Sequence, residues 1–196
     1  MTHTTRHSLL FRVKDSDDTE AWTQFVNLYG PLIYRFGKRK GLQDADAADL
    51  MQDVMQRISQ SIKKFEYNPA IGRFRSWLYL ISNQSISNLA KKLARQPKGS
   101  GDSNVARLIE ESSSQDEEAV WENEYRQHLL NWAMEQIKNQ FSDSTWTAFL
   151  RTAIEHRDAK EAAEELGMTV GAVYIAKSRV TKKLKEKIAT IDDTIR

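Results

Sequence analysis

Residues 45–65 read ADAADLMQDVMQRISQSIKKF. Ala47, Leu50, Met51, Val54, Ile58 and Ile62 recur at three- and four-residue steps, so they share one face of a helix. No Gly or Pro interrupts the run. Asp46, Asp49 and Asp53 fall on the opposite face, with Gln52 and Gln56 beside them. That spacing stacks the carboxylates into a stripe. Acid at a helix N-terminus complements the macrodipole, which accounts for Asp46. A stripe three acids deep exceeds what a helix start requires and suits a basic protein surface. The acids do not make a calcium loop, because no Gly or terminal Glu stands at the loop positions.

The same period extends outward from this helix. Asp18–Phe36 carries Trp22, Phe25, Val26, Tyr29, Leu32, Ile33 and Phe36, with Gly30-Pro31 predicting a kink or break. Further helices are expected at Phe74–Ala94, Val120–Ile137, Ser144–Glu155, Ala159–Leu166 and Val170–Ile188. Strict apolar/polar alternation is almost absent, so the fold class is all-α. Pro97–Ala119 is rich in Gly, Ser and acid and reads as a flexible linker, with a short helix around Val105–Glu111. The expected organisation is two small helical domains, 8–96 and 120–190, joined by the acidic linker 97–119.

Composition narrows the function. The 196 residues include no Cys, which excludes disulfide staples, thiolate zinc sites and a Cys nucleophile. No apolar run approaches the roughly 20 residues of a membrane span. Met1–Phe11 lacks a signal-peptide apolar core, so a cytoplasmic chain without membrane insertion is expected. His3, His7, His128 and His156 lie in no catalytic pattern, and there is no phosphate-cradling Gly loop. The reading is therefore a non-enzyme with no cofactor and no metal. The formal net charge of +2 hides a strong segregation. Residues 1–98 carry 16 basic and 9 acidic side chains, whereas residues 99–125 carry 1 and 8. Residues 170–190 hold six Lys or Arg against Glu186 alone. Such basic zones attract polyanions, nucleic acid foremost.

Residues 159–173 (AKEAAEELGMTVGAV) fit a helix-turn-helix. Ala162, Ala163 and Leu166 form the inner face of its first helix, Gly167 suits a left-handed closing residue, and Thr169 can cap the next helix. Val173 and Val180 then pack inward, while Tyr174, Lys177, Ser178 and Thr181 point outward toward base edges. Arg179, Lys182, Lys183 and Lys185 continue as phosphate-binding charge. In the N-terminal half, Phe65, Tyr67, Phe74, Trp77 and Tyr79 interleave with Arg73, Arg75, Asn83, Gln84, Asn88, Lys91, Lys92 and Arg95. Aromatics among cations and amides favour unstacked, single-stranded bases. Phe65, Phe74 and Trp77 also fit core positions, and Tyr67, in a loop beside Pro69, is the better exposed candidate.

Taken together, an acidic helix, an aromatic and amide-rich helix, a tether and a helix-turn-helix resemble bacterial sigma factors of the extracytoplasmic-function type. Asp46–Val54 resembles that family's polymerase-binding helix, and Phe74–Ile81 the start of its promoter-melting helix. Gly167–Val173 resembles its second DNA-binding turn. The resemblance implies that Asp46, Asp49, Gln52, Asp53 and Gln56 dock on core RNA polymerase at the β′ clamp, with the β flap as a further partner surface. It implies that Tyr67, Asn68, Arg73, Arg75, Asn83, Gln84, Ser87, Asn88 and Lys91 read and hold the melted −10 element. Thr169, Gly171, Tyr174, Lys177, Ser178, Arg179, Lys182 and Lys183 would face the −35 element of promoter DNA. An anti-sigma factor that clamps the two domains is a common partner in the family. Where many members carry Asn and Asp four apart in the melting helix, Gln84 and Asn88 stand here. The alternative reading is a stand-alone helix-turn-helix regulator, which leaves the acidic stripe without a role.

Overall fold

The computed structural model describes residues 9–65, 74–94 and 115–191. These residues are helical, with no strand among them. The chain divides into two compact units, residues 1–128 and 129–196.

The first unit is built from α1 (Leu9–Arg12), α2 (Thr19–Arg39), α3 (Asp44–Ser61), α4 (Phe74–Ala94) and the first part of α5 (Gln115–Ile137). Asp18 starts α2 by accepting the Ala21 amide at 2.8 Å, satisfying one orphan donor of the first turn. Arg12 grips the same carboxylate at 2.8 Å, and with the Ala21 amide it holds Asp18 below the ordinary carboxylate range. Of the expected kink or break at Gly30-Pro31, the helix shows no break and runs on through both residues. Pro31 removes one backbone donor, but the turn around it is fixed by fully buried Leu28, Tyr29, Leu32 and Ile33. Packing decides the outcome there. α3 crosses α2 closely at Gly37, where an added Cβ would lie 2.9 Å from a Leu50 methyl. α3 itself stops at Ser61, and one 3₁₀ turn (Ile62–Lys64) completes the segment expected to be helical through Phe65.

The core of this unit is aromatic. Phe25 and Tyr29 lie 4.6 Å apart by ring centroid, and Tyr29 lies 5.3 Å from Phe74. Below them Leu50, Val54 and Ile58 present the predicted inner face of α3. The last contribution comes from α5. Trp121 and Tyr125 are buried there, Trp121 edge-on to Phe36 at 5.0 Å and Tyr125 stacked on Tyr29 at 6.0 Å. The Trp121 Nε1–H donates to the Arg75 carbonyl at 3.0 Å. Three cations of the same unit pair with this stretch: Lys40 with Glu117, Arg39 with Glu124, and Arg75 with Glu122. Lys40 and Arg75 are buried, so each needs its carboxylate to offset desolvation.

The division between the two units falls at 128/129, past the end of the expected linker 97–119. The reason is physical. Trp121 and Tyr125 are four residues apart on one helical face, and that face finishes the first core. Residues 115–119, expected in the linker, are the first turn of α5. The rest of that linker, with its expected helix at 105–111, lies outside the described residues.

The second unit holds the remainder of α5, α6 (Asp143–Phe149), a π turn (Leu150–Ile154), α7 (Ala159–Leu166) and α8 (Val170–Ala189). One cluster joins Ala133, Ile137, Trp146, Phe149, Val180 and Leu184. A second is made of small residues, Ala148, Ala162, Ala163, Val173 and Ala176, which let α7 and α8 approach closely. Each short helix has its cap. Ser142 accepts from Thr145 N–H, Asp158 from Lys160 N–H at 2.7 Å, and Thr169 from Ala172 N–H at 3.1 Å. α7 closes through Gly167 at φ 62°, with the Met168 amide donating to the Ala163 carbonyl at 2.9 Å. That is a left-handed helix end, for which Gly carries no Cβ penalty.

Candidate functional site

On α3 the expected stripe is present but unequal. Asp49, Gln52 and Gln56 are exposed, whereas Asp46 and Asp53 are half-buried. Asp53 accepts from Arg57 Nε at 2.7 Å. Burial pushes the Asp53 carboxyl up, but Arg57 and Ser85 outweigh it and hold it below the usual range. At the start of the helix Asp44 pairs with Lys38 at 2.7 Å and accepts from the Tyr34 hydroxyl at 3.0 Å. Lys38 first and Tyr34 second keep Asp44 charged to lower pH.

The α3 stripe opens onto α4 through a groove of about 340 Å³. Asp49, Asp53 and Gln56 line one wall, and Asn88 and Lys92 the other. Residues expected on two separate surfaces therefore share one cleft. Arg57 and Ser85 had been given no part in it, whereas Lys92 was expected among the bases of the nucleic-acid surface. Arg57 stands four residues after Asp53, and Lys92 four after Asn88, so the helical period carried that signal.

α4 sorts its predicted residues by depth. Gln84 and Lys91 are exposed, and Ser87 and Asn88 are half-buried. Gln84 Nε2 donates to Asn88 Oδ1 at 3.3 Å, and the Ser87 hydroxyl donates to the Asn83 carbonyl at 3.1 Å. Arg75 and Asn83 do not join this surface, because both are buried. Arg75 turns its guanidinium to Glu122 of α5, which removes it from the expected DNA-facing set. Tyr79 is buried as well, and that burial, with Glu117 nearby, pushes its hydroxyl pKa up. Trp77 is half-buried, tilted against Phe65 at 4.7 Å, in a second groove of about 550 Å³ with Arg57, Lys64 and Gln84. Tyr67, Asn68 and Arg73 lie outside the described residues.

α8 offers the third surface. Val173 and Val180 point inward, as the spacing required, and Ala176 and Leu184 join them. Thr169, Gly171, Tyr174, Ser178, Arg179, Lys182 and Lys183 are exposed. Lys177 and Thr181, also expected outward, are half-buried. The Lys177 Nζ donates to the Thr152 carbonyl at 3.2 Å, while the residue still lines an outer groove with Tyr174 and Ser178. The π turn supplies that acceptor at a helix end, where carbonyls lack intrahelical partners. Behind α7, Arg151 bridges Glu155 at 2.8 Å and Glu165 at 2.9 Å, and Arg157 reaches Glu165 at 2.5 Å. Burial raises the Glu165 carboxyl, but Arg157 and Arg151 prevail and hold it below the usual range. Outward-facing Ile175 and Tyr174 are 54% and 60% exposed, and Ile175 had been given no role.

Among the described residues no helix is long and apolar enough to cross a membrane. No curated protein matches the sequence. The model of the family described as Sigma-70 region 2 matches residues 25–96, which takes in most of α2 and all of α3 and α4.

Proposed function

We propose that this protein is a sigma factor of the extracytoplasmic-function type, which binds core RNA polymerase and directs it to promoters. The observation that carries the reading is the Sigma-70 region 2 match over residues 25–96. Region 2 domains serve polymerase binding and promoter melting, and the exposed residues of α3 and α4 provide surfaces for both. Asp49, Gln52 and Gln56, with Asp53 beside Arg57, would contact the β′ clamp. Gln84, Ser87, Asn88 and Lys91 would hold the opened −10 strand, together with the loop residues Tyr67, Asn68 and Arg73. The turn 167–169 between α7 and α8 supports a helix-turn-helix, whose outer face would grip the −35 duplex through Thr169, Gly171, Tyr174, Ser178, Arg179, Lys182 and Lys183. The acidic stretch between α4 and α5 would then be the tether, the chain would act in the cytoplasm, and an anti-sigma factor would be a natural regulator. The protein performs no bond chemistry in this reading. It lowers the cost of opening the duplex by binding the opened strand.

The test is reconstitution with core polymerase. Wild-type protein should co-purify with the core enzyme and open a promoter selected by the holoenzyme. Asp49→Arg should lose co-purification while its circular dichroism is unchanged, since Asp49 is exposed and no buried contact depends on it. Failure of the wild type to bind core polymerase, combined with specific duplex binding by a free dimer, would replace this reading with a stand-alone regulator.

A further inference from the structure

The outer face of α8 carries apolar surface that the fold does not use. At 100° per residue, Gly171, Ile175, Ser178 and Lys182 lie within about 40° of the direction opposite buried Val173. Tyr174 flanks them. Ile175 is 54% exposed in the middle of this strip, on a helix that is otherwise basic. Lys182, Lys183, Lys185 and Arg179 supply charge suited to phosphates along the same helix. Gly171 has nothing within 4 Å of where a Cβ would stand, so backbone and Ile175 together form a low, apolar step between polar neighbours.

Duplex DNA presents one apolar group in its major groove, the C5-methyl of thymine. A branched aliphatic side chain near the N-terminal end of a groove-lying helix can cover that methyl and nothing polar. We infer that Ile175 is a specificity-determining residue which selects a thymine in the duplex element bound by α8. The inference rests on the duplex-binding role proposed above and adds the base it prefers. Charge complementarity favours DNA as the occupant of this face, since Glu186 is the sole acid between residues 170 and 190.

The test uses holoenzyme reconstituted from the full chain and core polymerase. Its preferred site is selected from randomised duplex. Each thymine of the −35 region is then replaced by uracil, which removes the methyl group alone. At one position uracil should weaken wild-type binding about fourfold, the value of one buried methyl-sized group. Ile175→Ala should bind the thymine site about fourfold more weakly and treat thymine and uracil alike, whereas Ile175→Val should retain the discrimination. Because Ile175 supports no core contact, circular dichroism melting of both variants should match wild type. Wild-type indifference to uracil at every position would overturn the inference and assign the apolar strip to a protein partner. Unchanged discrimination by Ile175→Ala would also overturn it, in favour of Tyr174. If no duplex is selected at all, the promoter-binding role itself fails, a result distinct from either.

Discussion

Trp121→Ala should unfold the first unit's core from a residue that the sequence placed in the second. Trp121 is 1% exposed and touches Phe36 and Tyr79 at centroid distances of 5.0 and 5.8 Å. Truncating a buried Trp costs about 3–5 kcal/mol. The Arg75 carbonyl also loses its 3.0 Å donor, a further penalty of about 1 kcal/mol if water cannot replace it. A working figure of about 4 kcal/mol corresponds to roughly a thousandfold rise in the open population. For a unit ending at residue 128 it corresponds to a melting shift of about 12–16 °C. Hydrogen exchange followed by mass spectrometry resolves where the loss falls. Peptides from α2 and α4 should lose protection by about that factor, while peptides from α6 and α8 keep theirs. Lost protection in α6 and α8 with α2 unchanged, or a total cost below about 1 kcal/mol, would refute the assignment of Trp121 to the first core.

Three further outcomes are expected. Asp18, Asp44, Asp53 and Glu165 all bind protons less readily in the folded chain than free carboxylates do. Their contribution is therefore complete above the unfolded carboxylate range, near pH 4–5, and is lost as pH falls through the folded values. Urea midpoints should be flat from about pH 6 to 8 and fall on acidification below about pH 4; a midpoint that rises there contradicts the sign. Gly167→Ala forces a Cβ into φ 62° and should cost about 1–2 kcal/mol in thermal unfolding of the second unit; an unchanged melt would mean that the turn relaxes freely. Gly171→Ala should leave stability unchanged or slightly improved, since its Cβ meets only open space, yet weaken promoter binding in a mobility-shift titration. Equal binding would show that the backbone there does not approach the duplex.

Helical periodicity made most elements legible. α3, α7 and α8 appear within a few residues of their expected ends because each has an unbroken apolar ridge and, for α7 and α8, a capping residue that satisfies first-turn amides. Where expectation and structure part, the deciding contact is non-local. Arg75 reads as an exposed cation, and its pairing with Glu122 comes from chain 47 positions away. The pattern of Trp121 and Tyr125 announces a buried face but cannot say which core receives it. Lys177 lies only about 40° round the helical wheel from buried Val173, and the acceptor that its Nζ finds there, the Thr152 carbonyl of the π turn, is one that no periodicity reveals. Among the proposed binding residues, the groove between α3 and α4 was half legible: each helix's own polar residues could be read from its period, but that the two sets share one cleft needed both helices to be in place.

That groove has an electrostatic consequence. Two carboxylates, Asp49 and Asp53, face two cations, Arg57 and Lys92, so its lining is formally neutral. A neutral cleft exerts little long-range pull on an approaching partner, and encounter there is governed by shape and short-range hydrogen bonding. The lysine-rich α8 is the opposite case, with a field that reaches about a Debye length into solution and fades as ionic strength rises. Added salt should therefore slow association at one surface far more than at the other, so the two engagements of this chain can be separated in time by ionic strength alone.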